Sequence, residues 1–216
     1  MSAAPKLEST DEAILLAYLA AEDASPERHA LHNGEVFAMA GGSTVHALLA
    51  MEVGGLLREG LKRSPCAALS GDQRVHINAT NVTYPDVVVA CPPLERPPFD
   101  RHGICNPTLL VEVLSPSTEQ WDRGGKLRLY RSVPSLRHVL FIAQTHWHVE
   151  LYSRGEDGAW SLHEAGPGGA VHLAHLDLTI EVDALYARSA AFGGPGPEAT
   201  APPETPALIA ERSRLP

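Results

Sequence analysis

The segment Thr108-Leu109-Leu110-Val111-Glu112-Val113-Leu114 is apolar but for one carboxylate, and turn formers close it on both sides, Asn106-Pro107 before and Ser115-Pro116 after. An apolar run of this length between breakers reads as a buried strand. An ionised carboxylate inside such a strand is costly unless something pairs with it or coordinates it. A second run, Tyr84-Pro85-Asp86-Val87-Val88-Val89, carries another acid one strand earlier. Side chains alternate along a strand, so Asp86 shares a face with Val88, and Glu112 with Leu110 and Leu114. If the two strands are neighbours and these faces coincide, two carboxylates stand side by side and repel unless a cation lies between them. Oxygen donors with room for water suit Mg²⁺ or Mn²⁺, and the backbone carbonyl of Val113 can complete the shell.

The rest of the chain must supply a core that can hold such a strand. With 216 residues, 44% hydrophobic and 20% charged, it suffices for one well-packed domain. That domain is read as residues 1–189, with a Gly-, Pro- and Ala-rich flexible tail at 190–216. A net charge of −9 argues against a protein that grips nucleic acid by bulk electrostatics, while leaving room for a local basic face or a metal. The three cysteines form no CxxC pair. Neither a zinc knuckle nor a disulfide framework is expected, and the default is a reducing, cytoplasmic setting. No secretory signal or long apolar span is visible, so no membrane is implied.

Periodicity and turn residues give the element order. A first helix, capped by Ser9 or Thr10, runs to about Glu22, and Asn33-Gly34 marks a hairpin in which Glu35 and Phe37 share a face. A second helix covers about 44–63, and strands follow near 67–70, 74–77, 84–90 and 109–114. A third helix is predicted from about 118 to 131, then strands at 136–143, 147–153, 160–164 and 176–181. The order points to an α/β (mixed α+β) domain with one central sheet flanked by helices. On the third helix Asp122, Lys126 and Tyr130 lie on one stripe. A lysine beside a metal and a phosphate can orient the attacking water and offset developing charge. Arg123, Arg128, Arg131 and Arg137 cluster around the same helix, either as a phosphate-facing patch or as a solvated face. His146 and His148 form a His-x-His pair on an expected strand face.

Taken in order, Pro85-Asp86, Glu112-Val113-Leu114-Ser115-Pro116-Ser117-Thr118, Asp122-Arg123-Gly124-Gly125-Lys126 and Tyr130 resemble the Uma-two family. So do Asn33-Gly34-Glu35-Val36, Met39-Ala40-Gly41-Gly42-Ser43 and His46. That family belongs to the restriction-endonuclease-like PD-(D/E)XK nuclease superfamily, and the likeness covers about Leu15 to Tyr186. It implies a restriction-endonuclease-like core and a metal-dependent endonuclease acting on nucleic acid, with DNA the expected substrate and a homodimer the expected form. The superfamily lysine stands two residues after the glutamate, a slot taken here by Leu114. The resemblance implies that Lys126 replaces it from the following helix. It also offers Glu35 as a further acid of the site, and His46 as a phosphate contact or proton-transfer group.

Other readings of the same residues stay open at this point. Glu112 could be one half of a buried ion pair with Lys126 or an arginine. Asp122 with Tyr130 could be a structural hydrogen-bonded pair, and Glu35 an exposed hairpin residue. The whole chain could be a binding or regulatory module that keeps the nuclease fold without its catalysis.

Overall fold

The computed structural model describes residues 10–39 and 41–200. Helix α1 (Thr10–Ala24) leads into the hairpin β1 (His29–His32) and β2 (Glu35–Ala38). The first-helix cap expected at Ser9 lies outside the described residues. Asn33 and Gly34 both take positive φ, 50° and 83°, as a two-residue hairpin turn requires. Helix α2 (Thr44–Gly60) starts at Ser43, whose hydroxyl accepts the amide of His46, and ends in a 3₁₀ turn at Leu61–Arg63. Then come β3 (Ala67–Ser70), β4 (Val75–Asn78), β5 (Asn81–Thr83), β6 (Val87–Ala90) and β7 (Pro107–Leu114). The third helical segment is α3 (Glu119–Trp121), a π turn at Asp122–Lys126 and α4 (Leu127–Arg131). Strands β8 (His138–Ala143), β9 (Val149–Arg154), β10 (Trp160–Ala165), β11 (Ala170–Leu173) and β12 (Leu178–Glu181) follow, with α5 (Val182–Tyr186) last.

The strands form a six-stranded sheet of order β10-β9-β8-β7-β6-β3, a four-stranded sheet of order β2-β1-β5-β4 and the pair β11-β12. The six-stranded sheet is mixed: β7 and β8 run parallel and its other neighbours antiparallel. Because β7 is central, both of its faces must be covered, which is why its sequence is apolar at nearly every position. One face, with Val111 and Val113, packs against Leu49, Val53 and Leu57 of α2 and against α5. The other, with Leu110 and Leu114, packs against Leu127 and Tyr130 of α4. Glu112 alternates onto this second face, under the third helical segment.

The architecture is the mixed α/β sheet flanked by helices that the sequence predicts, with local departures. The strand expected at 84–90 is confined to β6 at Val87–Ala90, and an unexpected strand, β5 at Asn81–Thr83, precedes it in a different sheet. Pro85 offers no amide to a ladder and restricts Tyr84, so β5 ends before it and β6 begins after it. Strand β11 and helix α5 were not foreseen from periodicity, being short. His146 and His148 lie before β9 rather than on it, with their rings stacked at 5.4 Å. Cys66 and Cys91 form a disulfide, contrary to the expectation of free thiols. The antiparallel pair Ala67↔Ala90, continued by one residue, sets the two cysteines opposite each other. With two of three cysteines paired, cysteine usage no longer points to a reducing compartment. Past Ala190 the chain stays against the domain as far as Pro195, whose carbonyl accepts from Trp147 Nε1 at 2.8 Å and from Ser189 Oγ at 2.6 Å. Residues 201–216 of the expected tail lie outside the described residues. No helix among the described residues is long and apolar enough to cross a membrane.

Candidate active site

The site forms where β6 enters the sheet beside β7. Val87 pairs with Val111, so one step further along the antiparallel register Asp86 comes opposite Glu112. Asp86 Oδ2 accepts the Val113 amide at 2.7 Å and lies 3.3 Å from Nε2 of His46, which reaches over from α2. His46 also bonds to the backbone of Val113. The hydrogen bond to Asp86 outweighs the cost of burial, so the imidazole is held above its usual pKa. Of the three groups read as hard-cation ligands, the Asp86 carboxylate and the Val113 backbone therefore meet at one imidazole.

Glu112 has a side chain only 7% exposed and faces the third helical segment. Lys126 Nζ stands 2.8 Å from Oε2, and the Tyr130 hydroxyl donates to Oε1 in a very short hydrogen bond. Burial pushes the Glu112 carboxyl up to about 7, Lys126 opposes this, and the charges of Asp86 and Asp122 add to it. Lys126 is itself buried, which disfavours its charge, but Glu112, Asp122 and Asp86 outweigh that and hold the ammonium above its ordinary value. Asp122 lies 3.4 Å from Lys126 and accepts from Thr118 Oγ1 at 2.7 Å. The predicted stripe thus turns inward, Lys126 and Tyr130 both ending on Glu112. The π turn widens the helix where Asp122 and Lys126 leave it, a local irregularity common at functional sites. Arg123, from the predicted basic cluster, is tied to Glu119 and to Glu150, the latter at 2.7 Å.

Three contributors were not singled out from sequence. Thr83 of β5 hydrogen-bonds to Tyr130, bringing the four-stranded sheet to the site. Thr118 orients Asp122. His32 stands where Lys126 and Asp122 both act on it, and burial and the lysine charge together lower its pKa. Its only sequence signal is the hairpin: His32 pairs with Glu35, and that pairing puts both on one face. Glu35 itself is exposed on β2.

Among the described residues, no group of three or more His, Cys, Asp and Glu side chains is arranged to hold a metal ion. In donor chemistry alone, the facing carboxylates of Asp86 and Glu112 are the kind of oxygen ligand that Mg²⁺ takes, one or two at a time, together with waters and substrate phosphate.

The chain has relatives among known proteins. A protein of Synechocystis sp., slr1290, is 36% identical over 176 residues, covering 81% of this chain and 91% of its own length. A second, sll1609, is 32% identical over 151 residues, 68% of this chain and 84% of its own. Both are described only as uncharacterized proteins. A crystal structure of a "putative nuclease belonging to DUF820" from Anabaena variabilis superposes with a TM-score of 0.65 at 16% identity, covering 81% of this chain and 98% of that one. At that identity the likeness speaks for the fold alone. Residues 15–186, which hold every group of the site described above, match the Uma2 family, described as "Putative restriction endonuclease", and the chain belongs to that family.

Proposed function

We infer that this protein is a metal-dependent endonuclease that hydrolyses phosphodiester bonds in DNA. The observation that carries the reading is the convergence of Lys126 on Glu112 beside Asp86, at the junction of β6 and β7, in a chain of this family. Asp86, Glu112 and the Val113 carbonyl would hold Mg²⁺ or Mn²⁺. When bound, such an ion stabilises charge on the attacking and departing oxygens. Lys126 moves from Glu112 to orient the water and to face the phosphoryl oxygens. The water oxygen bonds to phosphorus as the bond to one bridging oxygen breaks, and the proton the water loses passes through solvent to the departing oxygen. His46, which holds Asp86 and the Val113 backbone, is near enough to this pair that it would contact the phosphate of a bound substrate. Glu35 would serve as an auxiliary acid and a homodimer as the working form; sedimentation tests the latter.

A second reading has its own observation. Lys126 and Tyr130 between them satisfy the Glu112 carboxylate, as a structural ion pair in a non-catalytic module would. The two separate on one set of assays. With Mn²⁺ or Mg²⁺ at low salt, the purified protein should nick or cut DNA, and Glu112→Ala and Lys126→Ala should each lower the rate at least about a hundredfold while binding falls less. The ion should also raise the melting temperature, and Asp86→Asn with Glu112→Gln should remove that rise. Bound metal without cleavage of any DNA or RNA substrate overturns the catalytic reading in favour of the module.

A further inference from the structure

Beside Lys126 the surface is aromatic rather than basic. Trp121, on the turn before Asp122, is 42% exposed, and Phe37, on the edge strand β2, is 48% exposed. His32 stands between them, 5.7 Å from the Phe37 ring and 5.4 Å edge-on to the indole of Trp121. The three rings come from two separate parts of the chain, the hairpin and the third helical segment. Trp121 is fixed in place by what it lies against: a Cβ at Gly125 would come within 1.9 Å of the indole ring, so the ring rests on bare backbone there. His32 Nδ1 is buried without a hydrogen-bond partner, an uncompensated polar atom at the centre of the group. Burying polar atoms without partners and leaving large rings in water are both costly to the protein by itself, which points to a ligand.

We propose that Phe37, His32 and Trp121 form a shelf on which an unstacked nucleobase of the substrate rests, next to the phosphodiester presented to Lys126. The substrate strand is therefore unpaired at the cut. The proposal rests on the nuclease reading and deepens it by naming the substrate. Its logic is electrostatic as well as geometric. A chain of net charge −9 draws little affinity from phosphate contacts, and its Arg123 is already committed to Glu119 and Glu150. Stacking on aromatic rings supplies affinity without cations and accepts any base. A paired base is already stacked on its neighbours and presents no free face, which selects unpaired strands.

The test uses the full chain in chelator, so that binding is read without cleavage. A single-stranded thymidine oligonucleotide should quench tryptophan fluorescence. The same oligonucleotide with abasic residues, equal in charge, should quench little and bind roughly 5- to 150-fold more weakly, the span expected for one lost stack. A fully paired duplex should behave like the abasic strand. Trp121→Leu, which keeps apolar bulk, should weaken binding to the same degree, remove most of the quench and leave the salt dependence of binding unchanged. Equal binding of normal and abasic strands, or an unaltered quench in Trp121→Leu, overturns the shelf while leaving the nuclease reading intact. Failure of the wild type to bind or cut any nucleic acid overturns the nuclease reading itself. A Trp121→Leu change that alters self-association instead of base binding would make the surface a contact between copies, and also overturns the shelf.

Discussion

At the scale of single residues the site is a problem of buried charge. Glu112 lies among Leu110, Leu114 and Tyr130, with the charges of Asp86 and Asp122 acting on it and Lys126 as its cation. Its carboxyl is raised to about 7, so the sign of its contribution is fixed: stability present below about pH 4.5 is lost as pH rises through 7. Removing Lys126 takes away what keeps that loss small. Lys126→Met is therefore expected to cost little at pH 6, where Glu112 can stay protonated. At pH 8 the cost should be larger by about 1–3 kcal/mol. Urea unfolding at the two pH values, in chelator, measures the difference. An equal loss at both would mean that the lysine contributes packing rather than charge.

At the scale of elements the third helical segment does the positioning. Its π turn contains two adjacent glycines with different surroundings. A Cβ at Gly124 meets nothing within 4 Å, whereas one at Gly125 runs into the ring of Trp121. Gly124→Ala should be neutral or stabilising by up to about 1 kcal/mol, since alanine loses less backbone entropy in a helix. Gly125→Ala should displace the indole, shift the tryptophan emission and lower both stability and DNA cleavage. Thermal melts with emission spectra on the two variants test the contrast. If both alanines behave alike, the indole is not held by Gly125.

At the scale of the whole molecule, a buried polar network ties the small sheet to the rest. Arg74 bonds to Tyr84 at 2.8 Å, to Asp100 at 3.1 Å and to Asp23 of α1 at 2.7 Å. Tyr84 passes the chain on to Glu22 at 2.9 Å, and His76 meets Asp100 at 2.7 Å. Burial alone would raise the Asp100 carboxyl, but His76, the His102 amide and Arg74 reverse that and bring it down to about 2. Its contribution is present above about pH 4 and lost as pH falls through 2. Arg74→Met strands that carboxylate, so a loss of about 3–5 kcal/mol at pH 7 is expected. Acid unfolding should also begin at a higher pH than in the wild type. Circular dichroism against denaturant and against pH reads both, and an unchanged acid limb would remove Asp100 from the account.

What the sequence determined by itself is what short range can encode. Apolar runs between breakers gave β6 and β7, with Glu112 on β7 and Asp86 one residue before β6. Asn33-Gly34 gave the hairpin, Ser43 the start of α2, and four-residue spacing the stripe of Lys126 and Tyr130. Each is a preference of a few neighbouring residues for particular φ/ψ values or for one face. The remaining groups were decided by tertiary structure alone. His46 meets Asp86 across 40 residues, Thr83 meets Tyr130, Cys66 meets Cys91, and His32 meets Trp121. In each pair the partners sit on elements brought together by strand order and register, and no local period records which distant strand will be the neighbour. Pro85 shows both sides of this: its ring and missing amide break the run between β5 and β6 locally, whereas the pairing of β5 with β1 and of β6 with β7, in different sheets, rests on partners far away in sequence.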